Sequence, residues 1–229
     1  MRLVYASALA AAIALMISVA NAAPRAQDPD RKVAGGGISA PGWMGAIDAA
    51  AAAKGGTIND SKFAAMGSDF HLTIGPAAFY WNPKNTATGN YTVSATFKEL
   101  KPGMGGHPHP AGVFIAGANL DTDKKTAFYC TVNSAGAVLV RGFNEGTVFT
   151  LTTGRGGAAP NAAVAKPAAD GTVTNTVAWN VKDGTAECMV NGTSVGSFTK
   201  DQHKIATDGI YGIRVSHNME VMVSGLAKK

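Results

Sequence analysis

Hydrophobic and polar residues alternate along much of the chain after residue 69. The clearest example is the range 91–98, where Tyr, Val, Ala and Phe alternate with Thr, Ser and Lys, and the same period of two recurs over 172–181. This alternation is typical of strands with one face in a core and one face in water. Turn-forming pairs such as Asn191-Gly192 separate the apolar runs. The pattern predicts about twelve strands, over 69–75, 77–81, 90–98, 112–118, 126–132, 137–143, 147–152, 172–182, 185–190, 194–198, 210–215 and 219–226.

Strands this numerous, with no helices between them, predict an all-β fold, either an antiparallel sandwich or a barrel. The alanine-rich range 44–54 has the composition of a helix, although its apolar stripe is poor. We expect one domain over 41–229, because a chain of this length buries a sizeable core without a second domain.

Residues 1–22 have the organisation of a secretory signal peptide. Arg2 is followed by an apolar run over 3–19, and Ala20-Asn21-Ala22 fits the small-x-small cleavage rule. The alternative is a membrane anchor, but the alanine content makes the run weakly hydrophobic. No second apolar stretch of spanning length follows, so we expect no membrane span after cleavage. The alanine-rich style is typical of bacteria and predicts a periplasmic or secreted protein.

Residues 23–40 are rich in Pro, Gly and charged residues and include the triplet Gly35-Gly36-Gly37. This composition predicts a flexible linker between the signal peptide and the domain.

The distribution of charge argues against a nucleic-acid partner. The 229 residues include 20 Lys and Arg against 15 Asp and Glu, a net charge of +5. The basic residues are scattered in runs no longer than two. A surface that binds nucleic acid or an anionic membrane would cluster them.

The two cysteines, Cys130 and Cys188, lie in strand-like segments, and the alternation places both side chains toward the core. In an oxidising compartment an even count permits one disulfide. The alternative is a pair of buried free thiols. A catalytic role is not indicated in either case, because no His or Lys neighbours either cysteine in sequence.

Four segments, 89–93, 109–117, 179–192 and 209–215, resemble the concanavalin A-like lectin/glucanase superfamily, in the order of its laminin-G-like and sugar-hydrolase-associated jelly rolls. The resemblance implies a jelly-roll β-sandwich. It also implies either sugar binding or polysaccharide hydrolysis, since both occur in the superfamily.

The glucanases of this superfamily carry a Glu-x-Asp-x-x-Glu strand that supplies both catalytic carboxylates. The glutamates after residue 22 do not lie in that pattern. The sequence therefore favours a non-catalytic protein that binds a glycan or a cell-surface polysaccharide. The alternative is a glycosidase-like hydrolase with carboxylates that the fold assembles, such as Asp121, Asp123 or Glu145.

Sugar binding needs exposed aromatic faces, with amide or guanidinium groups that bond the hydroxyls. Side chains of these types lie at predicted strand ends or in the glycine-rich loop 153–170. For the aromatic candidate, Trp81, the alternative is that the ring is buried in the core. The candidate ligand-binding residues are Trp81, Asn82, Arg141, Asn144 and Arg155.

Two further segments suggest metal binding. His107 and His109 stand at i and i+2 between prolines, so both can face one side of an extended chain and bind zinc or copper. A third ligand would have to come from a distant histidine, His71, His203 or His217; the alternative is a stiff loop. Asp121 and Asp123 follow Asn119 at alternate positions, a pattern that predicts calcium as a cofactor or else a plain Asx turn.

Overall fold

The computed structural model describes residues 29–229, apart from the side chain of Arg155. The predicted signal peptide and residues 23–28 lie outside the described residues. The strands are β1 (Gly37–Ile38), β2 (Met44–Ile47), β3 (Lys62–Met66), β4 (Asp69–Ile74), β5 (Ala78–Ala87), β6 (Tyr91–Glu99), β7 (Ala111–Ala118), β8 (Thr126–Asn133), β9 (Ala137–Asn144), β10 (Thr147–Thr150), β11 (Ala159–Pro160), β12 (Val173–Lys182), β13 (Thr185–Val190), β14 (Thr193–Thr199), β15 (Gly209–Val215) and β16 (Met219–Lys228).

Helices are short. α1 covers Ala49–Ala52, α2 covers Lys200–His203, and single 3₁₀ turns lie at Ile58–Asp60, Met104–Gly106 and Arg155–Gly157. Over residues 29–229, no helix has the length and apolar character needed to cross a membrane.

The strands form two sheets that pack face to face. The first sheet has the order β1-β3-β4-β16-β6-β12-β13-β14, and the second has the order β10-β9-β8-β7-β15-β5-β2, with β11 beside β9. All pairs are antiparallel except β1 with β3. The C-terminal strands β15 and β16 insert between earlier strands, one into each sheet. This arrangement confirms the predicted jelly-roll β-sandwich.

All twelve predicted strands are present, and β1, β2, β3 and β11 add to them. The predicted helix over 44–54 is wrong for its first half. Met44–Ile47 forms β2, which pairs with β5 at the edge of the second sheet, and only Ala49–Ala52 is helical. Pairing with an existing strand outweighs the helix propensity of so short an alanine run.

The linker predicted over 23–40 does not describe residues 29–40, which are bonded to the sandwich. Arg31 donates from Nε to the Ile74 carbonyl (2.7 Å) and from Nη2 to the Met219 carbonyl (2.8 Å). Farther along, β1 pairs with β3. A side chain at Gly36 would lie 1.9 Å from the Asn59 carbonyl oxygen. The glycines here allow close packing as well as flexibility.

The main core lies between the two sheets and centres on Trp179. Its indole packs against Phe128 with ring centres 4.5 Å apart and donates from Nε1 to the Val113 carbonyl at 3.1 Å. Cys130 of β8 and Cys188 of β13 form a disulfide beside it, so one covalent bond joins the second sheet to the first.

A second, smaller apolar cluster lies on the opposite face of the second sheet, which we call the outer face. It contains Phe79, Trp81, Phe114, Leu120, Ala127, Tyr129 and Leu139. Because this cluster covers the outer face, β7 and β8 are buried on both sides. The candidate site lies beside it.

Candidate functional site

A cleft of about 660 Å³ opens on the outer face of the second sheet. The second sheet supplies its floor: Tyr129 pairs with Arg141 across β8 and β9, and Arg214 lies on β15, on the far side of β7. The walls come from α1 and from residues 29–32. The cleft therefore depends on the N-terminal segment as well as on the sheet.

Arg214 is the most buried charge in the cleft, at 8% exposure. Its guanidinium forms a two-pronged ion pair with Asp48, at 2.8 Å and 2.6 Å, and lies 4.5 Å from the centre of the Phe79 ring. Burial lowers the pKa of Arg214, but Asp48 and Tyr129 raise it by more, so the pKa lies above its usual value. Arg214 is thus a fixed cation held between a carboxylate and an aromatic ring.

Arg141 is held at the opposite side of the floor. Its Nε donates to Thr150 Oγ1 and its Nη2 donates to the Gly156 carbonyl, both at 2.9 Å. These two bonds fix the plane of the guanidinium where it lines the cleft.

Tyr129 lies between the two arginines. Burial raises the pKa of its hydroxyl, and the Arg214 and Arg141 charges oppose that rise. The phenol consequently remains protonated at neutral pH and keeps its hydrogen for donation.

Lys125 lies close to the same charges although it does not line the cleft. It is 7% exposed, and its Nζ is 5.9 Å from the Phe79 ring and 5.6 Å from the Phe143 ring. The pKa of Lys125 lies below its usual value, because burial and the nearby Arg214 charge lower it by more than the Asp48 charge raises it. The floor of the cleft thus rests on a layer of aromatic rings in contact with cations.

The cleft has an excess of positive charge. Five basic side chains line it against three acidic ones, and a histidine adds to the rim. The basic residues are Arg31, Lys32, Lys54, Arg141 and Arg214, the acidic ones are Asp30, Asp48 and Asp60, and the histidine is His217.

The three carboxylates in the cleft all have partners. Asp48 pairs with Arg214, Asp30 accepts from His217 at 2.8 Å, and Asp60 accepts from the Thr57 amide at 2.7 Å. The carboxylates considered for hydrolysis, Asp121, Asp123 and Glu145, are exposed and lie outside the residues that line the cleft.

Of the five predicted ligand-binding residues, Arg141 lies in the cleft. Asn82 lies within β5, where its side-chain oxygen accepts from the Lys84 amide, and Asn144 is exposed at the end of β9. The structure does not describe the side chain of Arg155, although the adjacent Gly156 lines the cleft.

The structure corrects the expectation of an exposed ring at Trp81. This side chain is on the outer face but only 3% exposed, because it packs into the outer cluster with Phe79 and Phe114. It has no free face on which a sugar ring could stack.

Sequence reasoning did not select Asp48, Tyr129 or Arg214 as site residues. One signal was present: Arg214 is a lone charge within the apolar strand β15, and such a residue needs a buried partner. Asp48 carried no comparable signal, because it lies beside an alanine run and is separated from Arg214 by 166 residues in sequence.

Three histidines meet at one rim of the cleft. The ring centres of His107 and His109 are 4.2 Å apart, and those of His109 and His217 are 4.4 Å apart. His217 thus supplies the distant partner that the sequence left open. The other two histidines have different partners: His71 contacts Glu220 at 3.2 Å, and His203 contacts the Thr199 carbonyl at 3.2 Å.

The segment considered for calcium forms a turn. Thr122 donates from its amide and from its hydroxyl to the Asn119 carbonyl, both at 3.0 Å, and Leu120 is buried in the outer cluster. Asp121 and Asp123 are exposed. Calcium binding here stays a prediction.

No protein-family model and no curated protein matches this sequence. Solved structures do match. Carbohydrate-binding module CBM66 from Bacillus subtilis superposes with a TM-score of 0.54 at 10% identity, over 82% of this chain and 95% of that one. A Bacillus subtilis protein of unknown function with a galectin-like fold gives 0.53 at 12% identity, over 81% and 88%. These matches show that this chain shares the β-sandwich fold of the carbohydrate-binding module and of the galectin-like protein, and the sequence resemblance implied a fold of this kind.

Proposed function

We propose that this protein is an exported, non-catalytic module that binds a glycan in the cleft on the outer face of the second sheet. One observation carries the proposal. The cleft places two fixed guanidinium groups and a protonated phenol on a rigid sheet, and these are the donors that bond sugar hydroxyls and carboxylates.

The charge of the cleft narrows the class of glycan. Two more positive than negative side chains line it, and Arg214 and Arg141 are both pre-oriented by neighbours. An acidic polysaccharide, with carboxylate or sulfate groups on its sugars, complements this surface better than a neutral one. Cell-surface polysaccharides of this class are the proposed partner.

Binding is favoured over hydrolysis by the state of the carboxylates. A glycosidase needs one carboxyl group that keeps a proton and a second that acts as nucleophile or base. Asp30, Asp48 and Asp60 instead each accept a hydrogen bond from a neighbouring group of the protein, from His217, Arg214 and the Thr57 amide.

Export rests on the signal-like pattern of residues 1–22. The Cys130–Cys188 disulfide supports it, because structural disulfides form in oxidising compartments. Mass spectrometry of the protein from a periplasmic fraction would test it. We expect an N-terminus at Ala23, and an intact Met1 in a cytoplasmic fraction would contradict it.

The glycan proposal is tested on an array of neutral and acidic glycans, run with and without calcium. We expect an acidic glycan to bind, and Arg141→Ala to weaken that binding by about tenfold or more, since a charged hydrogen bond contributes about 1.5–3 kcal/mol. Asn82→Ala and Asn144→Ala are matched controls, because both remove a polar group away from the cleft. Both should bind as the parent does.

A blank array would overturn the proposal, as would binding that Arg141→Ala leaves unchanged. Release of new reducing ends from the bound glycan would overturn its non-catalytic part. A requirement for calcium would instead support the predicted site at Asp121 and Asp123.

A further inference from the structure

We propose that His107, His109 and His217, here called the histidine triad, form a binding site for a zinc-like divalent transition metal at the rim of the cleft. The site is independent of the proposed glycan. Within residues 29–229 this is the one group of three or more His, Cys, Asp or Glu side chains close enough to share an ion.

The spacing of the triad suits a metal. One ligand nitrogen from each ring lies within 4.8 Å of the other two. Zinc–nitrogen bonds of about 2.0–2.1 Å in a tetrahedral site place the nitrogens about 3.3 Å apart. Each ring therefore has to move by less than about 1 Å to reach a common ion.

The two loops that carry the triad are tied together. Ser216 donates its amide to the Pro110 carbonyl at 2.8 Å, so a backbone bond lies one residue away from both His109 and His217. Pro108 and Pro110 restrict the chain on either side of His109. The backbone of the site is therefore assembled before any metal arrives, which lowers the cost of binding.

Neighbouring groups orient two of the rings. Asp30 Oδ1 contacts His217 Nδ1 at 2.8 Å, which leaves Nε2 of that ring for a metal. The Met104 carbonyl contacts His109 Nε2 at 3.0 Å. Metal-binding histidines commonly have a carboxylate or a backbone carbonyl on the second ring nitrogen, because it fixes the ring and makes the ligand nitrogen more basic.

Packing alone does not account for the triad. His109 is buried at 1% exposure, but His107 is exposed and fills no core. A divalent metal would give the three rings a common partner, because imidazole nitrogens are ligands for such ions.

Three imidazoles and no thiolate select zinc, copper or nickel over calcium or magnesium. A tetrahedral ion would keep a fourth position for water or for a ligand oxygen. Because His217, Pro110 and Ser216 all line the cleft, the bound ion would lie at its edge.

The test uses the mature chain without a polyhistidine tag, stripped with chelator and titrated with zinc chloride by calorimetry. We expect one ion per chain and a melting temperature that rises with zinc and falls again with chelator. His107→Ala should weaken binding at least tenfold and leave the metal-free melting temperature unchanged, because this side chain is exposed.

His203→Ala is the control, since it removes a half-buried histidine outside the triad. Asp30→Asn should weaken zinc binding about tenfold, since loss of an orienting partner has effects of 10–100-fold. Absence of stoichiometric binding would overturn the proposal. Equal affinities of His107→Ala, His203→Ala and the parent would also overturn it, because they indicate scattered surface binding.

Glycan and metal outcomes are separable, because the zinc titration contains no sugar. Stoichiometric zinc binding with a blank glycan array would leave the triad standing and remove the glycan proposal. Glycan binding without any zinc binding would remove the histidine-triad proposal and leave the glycan proposal standing.

Discussion

The outer faces of the two sheets differ, although both sheets share one core. On the first sheet, β6 and β12 alternate strictly between buried and accessible positions, and Thr96 bonds Thr176 across the strands at 2.8 Å. On the second sheet, β7 and β8 are buried along nearly their whole length. The first outer face meets water, and the second carries the outer cluster and the cleft.

This difference shows how the sequence of a sandwich can indicate which outer face carries a site. A strand with a continuous apolar run in place of the alternation is buried on both sides. In a two-layer fold the core covers one side, and something else has to cover the other. Here the cover is aromatic residues, Lys125 and the Arg214–Asp48 pair.

The largest expected effect comes from separating the two sheets covalently. The disulfide closes a loop with a sequence separation of 58 residues, and the chain-entropy model gives about 4 kcal/mol for it. The double variant Cys130→Ala with Cys188→Ala should lose that much unfolding free energy in urea denaturation. Reduction of the parent protein is the control and should give a similar loss. A loss under about 1 kcal/mol would contradict the role of the disulfide as a staple between sheets.

Matched substitutions on the two outer faces compare them directly. Asp48→Ala leaves Arg214 buried without its carboxylate, and should lower the unfolding free energy by about 2–3 kcal/mol, a value reduced because Asp48 is 29% exposed. Thr96→Ala on the first sheet should cost under about 1 kcal/mol.

A double variant with Asp48→Ala and Arg214→Met should regain part of the loss, since the unpaired charge is gone. Denaturant titrations measure all four proteins. Equal costs for Asp48→Ala and Thr96→Ala would mean that the two outer faces do not differ energetically.

Two glutamates give a smaller, pH-dependent contrast. Glu99 is 5% exposed, and burial raises its pKa to about 7. Glu220 lies on the outer face of the first sheet, where a hydrogen bond from Lys101 holds its pKa below the usual range. Folding therefore favours the protonated form of Glu99 and the ionised form of Glu220.

The raised pKa sets the sign for Glu99→Gln. Between about pH 4.5 and 7 the unfolded chain releases the Glu99 proton while the folded chain keeps it, so the parent loses stability as pH rises through this window. Glu99→Gln should then be more stable than the parent by about 1–3 kcal/mol at pH 8 and no more stable at pH 4.

Glu220→Gln is the control with the opposite sign. It removes stability that the parent has above the unfolded pKa and loses as pH falls, so its cost should appear at pH 8 and vanish in acid. Denaturation curves at the two pH values measure both variants. A benefit of Glu99→Gln that is equal at pH 4 and pH 8 would show that titration is not its cause.

The sequence predicted the central strands of both sheets and missed two strands in each, β1 and β3 in the first sheet and β2 and β11 in the second. The clean alternation of β6 and β12 comes from a single buried face, which is a local signal. β2 was mistaken for helix because its strand character comes from pairing with β5. The linker interpretation failed for 29–40 for a related reason, because Arg31 finds its carbonyl partners in β4 and β16.

The candidate sites divide in the same way. His107 and His109 are neighbours in sequence, so their shared face could be predicted, but only the fold brings His217 to them. The Asp48–Arg214 pair joins residues 166 positions apart. Arg141 was identified from its residue type and its position at a predicted strand end. The orientation of its guanidinium in the cleft depends on hydrogen bonds to Thr150 and to the Gly156 carbonyl.

The docked segment at residues 29–32 has a consequence for handling this protein. Pro29 lines the cleft, whereas Lys229 forms backbone bonds with Thr92 at the start of a strand in the opposite sheet. An affinity handle or display anchor fused just upstream of Pro29 would emerge at the mouth of the cleft and obstruct it. A fusion after Lys229 would leave that mouth open, which makes the C-terminus the better attachment point for immobilisation on a sensor surface.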